Sequence, residues 1–275
     1  MRYRLVFVLA LIFAPAVFAE GLPRPDHVVV VIEENRGFSQ IMNAKNAGSY
    51  IHSLIARGML FTQSYGVARP SQPNYLVLFS GSTQGITTND CPQSFTGDNL
   101  ATALMAKGLS FAIFSESLPA MGSLRCRSGA YERKHNPLPN WQGTRLPPDI
   151  NLRFSDFRID SSMLPTVAFV VPDQNNDMHD GSFETADAWL KTHIDPYVEW
   201  AYRNNSLLIL TWDEDDGREK NRIVTLLIGP MVKQGTSEQR IDHYSVFRTL
   251  LDFYELPAIG DSAGARPIAG VWKDN

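Results

Sequence analysis

The 275-residue sequence predicts an α/β protein, a three-layer α/β/α domain around a mostly parallel central sheet. Two observations carry this. Five short runs are apolar throughout and rich in β-branched residues, which marks strands covered on both faces. Helical patterns alternate with them, and that alternation is the pattern of a sheet with helices packed on either side.

The strands are expected at His27–Ile32 (HVVVVI), Ser110–Phe114 (SFAIF), Thr166–Val171 (TVAFVV), Leu207–Thr211 (LLILT) and Ile223–Ile228 (IVTLLI). Among the helices, Ser49–Ala56 carries Tyr50, Ile51, Leu54 and Ile55 at helical spacing, and Asn99–Lys107 has the same style. A longer pattern, Phe183–Tyr202, is interrupted at Asp195-Pro196, where aspartate can cap a second helix and proline can occupy its first turn. The last helix runs from about His243 to Tyr254 and turns Val246, Leu250 and Phe253 inward. Residues 116–165 lack periodicity and are rich in Pro, Ser, Gly and Arg. They are expected to form a loop-rich excursion over the active-site face, since long irregular segments in compact domains are commonly functional. Tyr131, Arg133, Lys134 and Trp141 are its candidates for a substrate entrance, with a scattered surface loop as the plainer reading.

The chain opens MRYRLVFVLALIFAPAVFAE. Arg2 and Arg4 precede a ten-residue apolar run, Leu5–Ala14, and small residues follow at the usual cleavage positions. The run is too short for a bilayer span, which needs about 20 residues, and has the form of a secretory signal. Residues 1–19 are therefore expected to be a signal peptide and 20–275 one domain, in a periplasmic or secreted protein without a stable membrane anchor. Leaving out Arg2 and Arg4 takes the formal charge from −4 to −6. An acidic, evenly mixed chain is not a nucleic-acid binder, because phosphate-backbone affinity comes from clustered Lys and Arg. Cys91 and Cys126 are the two cysteines. In an oxidising compartment they predict one disulfide, with two free thiols as the alternative.

Three of the strands run straight into acidic, oxygen-rich loops: Glu33-Glu34-Asn35, Pro172-Asp173 through Asp180-Gly181, and Trp212-Asp213-Glu214-Asp215-Asp216-Gly217. In an open parallel sheet those strand ends line one crevice. Converging carboxylates repel one another unless a cation compensates them, so a divalent metal with hard oxygen ligands is expected. The plainer reading is helix capping and solubility. A calcium loop is the sharper rival, because Asp173, Asn175, Asp177 and Glu184 fall at positions 1, 3, 5 and 12 of the EF-hand pattern. Met178, however, stands where that pattern needs glycine, and Val224 stands at the twelfth place of the DEDDG loop.

"ARPSQPNYL", residues 68–76, places Ser71 between two prolines at the entrance of an apolar helix. Pro70 favours an extended Arg69 and Pro73 fits a first turn, so Ser71 is expected at or near the N-cap. There it faces unpaired N–H groups and the positive helix end, a setting that suits a cap and a phosphate-attacking nucleophile alike. His52 and His193 fall in helical patterns and His27 begins a strand, which suggests structural roles. His135, His179 and His243 lie in or beside polar loops and are candidates for metal binding, phosphate contact or proton transfer.

The motifs "VVVVIEENRGFSQI", "RPSQPNYLVLFSG", "YERKHNP", "NDMHDG", "TWDEDDG" and "DHYSVFRTLLD", in this order, resemble the bacterial and fungal phosphoesterase family of the alkaline-phosphatase-like superfamily. The resemblance covers about His27 to Tyr254 and implies an alkaline-phosphatase-like fold. It implies Ser71 as a nucleophile forming a phosphoserine and Asn74 as a phosphoryl-oxygen ligand. Glu34, Asn35, Asp213 and Glu214, with Ser71, would hold one or two divalent metal ions. His135 and His179 would lie near the phosphate with Asp177 and Asp180, and His243 is a weaker match. The implied activity is a secreted, metal-dependent acid phosphatase acting on a small phosphorylated substrate or a phosphoinositide headgroup. A phospholipase C-type phosphodiesterase is the alternative within the class, and a non-catalytic calcium-binding protein the alternative outside it. Oligomeric state is left open.

Overall fold

The computed structural model describes residues 21–44, 49–141 and 146–274, so the signal segment expected at 1–19 lies outside the described residues. Eight strands form one sheet: β1 (His27–Glu33), β2 (Met59–Phe61), β3 (Phe111–Ser115), β4 (Asn151–Arg153), β5 (Val167–Val171), β6 (Ser206–Trp212), β7 (Thr225–Ile228) and β8 (Gly235–Ser237). Their spatial order is β8-β2-β7-β6-β1-β5-β3-β4. The central run β6-β1-β5-β3 is parallel throughout, while β7 is antiparallel to both β6 and β2. The helices are α1 (Phe38–Met42), α2 (Tyr50–Arg57), α3 (Ser71–Ser80), α4 (Leu100–Ala106), α5 (Phe183–His193), α6 (Asp195–Ala201) and α7 (His243–Phe253).

The three layers follow from the period of two along each strand. Val28, Val30 and Ile32 of β1 face a core closed by Leu76 and Phe79 of α3, Leu100 and Leu104 of α4, and Val246 and Leu250 of α7. Val29 and Val31 face the opposite core, closed by Ile51 and Leu54 of α2, Leu190 of α5 and Val198 of α6. Both faces being covered is why β1 reads as an unbroken apolar run. Ser49 and Asn99, expected inside helices, are instead the caps of α2 and α4; their side chains accept the N–H of His52 and Thr102. Gly81 closes α3 in the left-handed conformation (φ 64°), where a β-carbon would meet the carbonyl of Ile259.

Several expectations are corrected. The run Ile223–Ile228 is not one strand. Arg222–Ile223 pairs with Ser64–Tyr65 in a separate three-stranded sheet, and only Thr225–Ile228 enters the large one. Ile194, not Asp195, precedes α6, so Asp195 and Pro196 both lie within its first turn. Residues 116–165 are more than an excursion, because β4 within them pairs with β3 and forms a sheet edge. Nor do Tyr131, Arg133 and Trp141 line an entrance, since all three are buried. Arg133 donates to Asn140 Oδ1 and to the carbonyls of Leu124, Gln93 and Pro139, while Trp141 donates to Gly97 and packs on Phe79 and Phe95. Guanidinium and indole here hold loops together. Cys91 and Cys126 form the expected disulfide, 35 residues apart in sequence.

Candidate active site

Because β6, β1 and β5 are parallel neighbours, the loops that follow them leave the same edge of the sheet. Two backbone bonds stitch these loops together: Glu34 N–H donates to the Asp177 carbonyl (2.7 Å) and Asp213 N–H to the Glu33 carbonyl (2.9 Å). The acidic segments predicted to converge do converge. Within the calcium-loop pattern, Asp173 accepts from Ser117 Oγ and Asp177 faces His135.

Ser71 is the first residue of α3, one position inside the expected N-cap, which is Pro70. Its hydroxyl is therefore not spent on capping. It lies 3.0 Å from Glu34 Oε2 and 3.3 Å from Glu214 Oε1, both carboxylates positioned to accept its proton. The helix end offers fewer N–H groups than expected, for Pro73 has none and Gln72 N–H donates to Asn89 Oδ1 (2.9 Å). Asn74 also departs from its expected place. Its Oδ1 accepts from Val67 N–H and Ala68 N–H (3.0 Å each), and its Nδ2 donates to the Ala68 carbonyl (3.0 Å). A fully buried amide with both ends occupied braces the approach to Ser71 and is not presented to a phosphate.

His135 is buried between two carboxylates, with Nε2 2.9 Å from Glu34 Oε1 and Nδ1 3.4 Å from Asp177 Oδ2. The contacts are close but not aligned as hydrogen bonds. Tyr75, one helical turn beyond Ser71, stacks on the imidazole at 5.1 Å and fixes its plane. The His179 ring centroid is 5.9 Å from that of His135, on the more open rim, with Nδ1 at Asp180 (2.8 Å) and Nε2 at Lys134 Nζ (3.0 Å). Asp177 Oδ1 accepts the His179 N–H (2.8 Å) and so ties the two histidines to one loop. Asn35 stands half-buried at φ 51°, and its N–H donates to Asp213 Oδ1 (3.3 Å). His243 lies apart: its Nε2 meets the Asp213 carbonyl at 2.6 Å, so it supports the loop from behind.

Charge is unevenly compensated. Burial pushes His135 down, but the Glu34 and Asp177 carboxylates outweigh it and raise it to about 9. Burial likewise raises Glu34, against which the His135 charge and contact win and lower it to about 2. Burial and the Glu34 charge raise Glu214 to about 7 despite Arg69, and burial with Glu34 and Glu214 pushes Asp213 well above the carboxylate range. Asp177 is raised as well, by burial against the pull of His135. Glu34 Oε1, Asp177 Oδ2, Asp213 Oδ2 and Glu214 Oε2 are all buried without an aligned donor. Unpartnered carboxylate oxygens of this kind are hard donors, the ligand chemistry of a divalent cation. Among the described residues no three of the acidic and histidine side chains form a finished ligand cage.

The model of the phosphoesterase family matches residues 43–257 of the chain. The chain belongs to the phosphoesterase family. It is 44% identical over 259 residues to the phosphatidylinositol-3-phosphatase of Mycobacterium tuberculosis, covering 93% of this chain and 86% of that protein. An acid phosphatase of Aspergillus fumigatus is 30% identical over 228 residues, covering 75% of this chain but only 51% of the fungal protein. Among solved structures, a protein of the alkaline phosphatase superfamily from Vibrio parahaemolyticus superimposes with a TM-score of 0.65 at 14% identity, covering 94% of this chain and 75% of that one. That likeness bears on the fold alone, and the alkaline-phosphatase-like α/β architecture is as expected.

Some residues of this candidate site carry a weaker signal in the sequence or none. Tyr75 had a signal, its i+4 spacing from Ser71. Asp215 also had one, an acidic residue two before a glycine: it accepts the N–H groups of Gly217, Glu219 and Asn221 and pairs with Arg69. Arg69 reaches Glu214 too, at 3.5 Å, and is the site's exposed cation. Glu33 carries no distinguishing signal beside Glu34. It points to the opposite face, fully buried and without a donor, and burial with the Asp177 and Glu34 charges pushes its carboxyl well up. An open cavity of about 570 Å³, lined by Glu116, Arg153, Phe154, Phe157, Arg158 and His193, includes none of the clustered side chains. Glu116 separates the two, accepting from Asp173 N–H and Asn176 Nδ2 of the Asp177 loop.

Proposed function

We propose that the protein is a secreted or periplasmic, metal-dependent phosphomonoesterase in which Ser71 attacks phosphorus. The phosphatase names of its relatives support a phosphoric monoester hydrolase. The observation that carries the residue assignment is the Ser71 hydroxyl at a helix entrance, within reach of two buried carboxylates.

Glu34, Asp213 and Glu214, with Asn35 beside them, would hold a divalent cation next to Ser71. When bound, it lowers the pKa of the serine hydroxyl and offsets charge developing on the phosphoryl group. The scarcity of free N–H groups at the start of α3 leaves that charge to side chains, which makes a cation the more necessary. Glu214 takes the Ser71 proton, the Oγ–P bond forms as the P–O bond to the leaving alcohol breaks, and a histidine of the pair His135 and His179 protonates the departing oxygen. Water then cleaves the phosphoserine with the same imidazole acting as base. Lys134 and His179, on the open rim, face the entering phosphate and its alcohol. The 44%-identical relative makes a 3-phosphorylated phosphoinositide headgroup the first substrate to assay.

The test is phosphate release from p-nitrophenyl phosphate, bis-p-nitrophenyl phosphate and phosphatidylinositol 3-phosphate, with and without chelator. Monoester turnover lost on chelation and restored by one divalent metal is the expected result. Diester turnover exceeding monoester turnover, or full activity in chelator, overturns it.

A further inference from the structure

Large apolar side chains stand out of the surface at four described positions, Met105, Met121, Leu124 and Met163. Two of them share one short loop. Met121 is 55% and Leu124 52% exposed, within Pro119-Ala120-Met121-Gly122-Ser123-Leu124-Arg125-Cys126-Arg127. The stretch from Ser117 to Tyr131 contains two arginines and no acidic residue, in a chain of formal charge −4. Arg125 is exposed, and Arg127, 70% exposed, pairs with Glu132 at 2.6 Å.

The loop is held rigid. Ser123 N–H closes a turn on the Ala120 carbonyl (3.1 Å), Gly122 N–H donates to the Asn151 carbonyl (2.8 Å), and the disulfide ties Cys126 to Cys91. It is also joined to the catalytic side. Arg133 donates to the Leu124 carbonyl (2.8 Å) from the turn that carries Lys134 and His135, and Gln174 N–H of the Asp177 loop donates to the Ala130 carbonyl (3.2 Å). Apolar tips interleaved with arginines on a fixed loop are the two signals that bring a protein to an anionic bilayer, apolar insertion and charge attraction.

We propose that the Pro119–Arg127 loop is a docking surface for an anionic lipid bilayer, which it meets with Met121, Leu124, Arg125 and Arg127. This rests on the lipid-phosphate reading of the active site and extends it to how the enzyme reaches a substrate embedded in a membrane. The loop stays in place on the surface while the neighbouring histidine rim faces the headgroup layer.

Sedimentation with vesicles of phosphatidylcholine and phosphatidylserine, free of phosphoinositide, tests docking without hydrolysis. Wild-type protein is expected to sediment with the mixed vesicles and not with pure phosphatidylcholine, and to be released by salt. The double variant Met121→Ser/Leu124→Ser should lose about tenfold in partitioning, and Arg125→Gln about fivefold. All variants should keep wild-type turnover of p-nitrophenyl phosphate. Hydrolysis of water-soluble dibutanoyl phosphatidylinositol 3-phosphate reports the active-site reading separately: vesicle binding without that hydrolysis defeats the substrate reading and leaves docking standing. Absence of wild-type sedimentation, or equal sedimentation of the double variant, overturns docking.

Discussion

Replacing Asn74 with alanine separates a bracing role from a substrate contact. The substitution strips the acceptor from Val67 N–H and Ala68 N–H, each 3.0 Å from Asn74 Oδ1, in a half-buried turn. The Ala68 carbonyl loses one donor but keeps Asn221 Nδ2 at 3.0 Å, so it stays satisfied. Two stranded N–H groups cost about 1–3 kcal/mol each, and with partial relaxation the sum is about 2–4 kcal/mol. In a domain of this size that lowers Tm by roughly 4–16 °C. The turn leads directly into Ser71, so a shift of the nucleophile should lower kcat by about a hundredfold, while KM changes by less than about threefold. Thermal scans and steady-state kinetics on p-nitrophenyl phosphate read both quantities. An unchanged Tm with KM raised tens of fold would show that Asn74 binds the phosphate directly, and the bracing assignment would be wrong.

Ser71→Ala should leave the fold intact and cut turnover by at least about a thousandfold; trapping of phosphoenzyme by acid quench should succeed with wild type and fail with the variant. Chelation should make stability pH-dependent. Glu214 has a folded pKa raised from 4.5 to about 7, so the stability it contributes below 4.5 is lost as pH climbs to 7. His135, raised from 6.5 to about 9, holds its contribution below 6.5 and loses it as pH rises through 9. The chelated protein should therefore melt at lower temperature at about pH 7.5 than at about pH 5, and added cation should recover more at the higher pH; equal recovery at both would count against a metal at Glu214. Removing the disulfide with Cys91→Ser and Cys126→Ser opens a 35-residue loop, worth about 4 kcal/mol in chain entropy. Tm should drop by roughly 8–16 °C with kcat preserved below the transition.

The strands that were legible are those buried on both faces, because an unbroken apolar run of five to seven residues has few other uses. β2, β4 and β8 were not, since three residues carry no periodicity and Gly235-Thr236-Ser237 carries no apolar signal either. The direction of β7 was equally silent, for a strand buried throughout reads the same parallel or antiparallel. At the site, residues directly following strands could be placed by topology alone, and Glu34, Asp177 and Asp213 meet as expected. Side-chain direction could not. Asn74 looks like a ligand in the sequence because it stands in the family's Ser71 motif, and only the positions of Val67 and Ala68 reveal what its amide holds. Arg133 and Trp141 misled for the opposite reason: long polar or amphipathic side chains in a loop suggest solvent, yet here they fill the interior.

The central place of β1 governs how the enzyme comes into being. Its partners β5 and β6 are made more than 130 residues later in the chain, at Val167–Val171 and Ser206–Trp212. Until Val167–Val171 has been synthesised the first strand has neither of these neighbours, until Ser206–Trp212 follows it lacks one of them, and only then does Glu214 emerge to meet Glu34. Closure over such separations is slow and all-or-none in character. No fragment ending before Glu214 can carry the full cluster, and onset of turnover during refolding is a clock for insertion of β1 into the middle of the sheet.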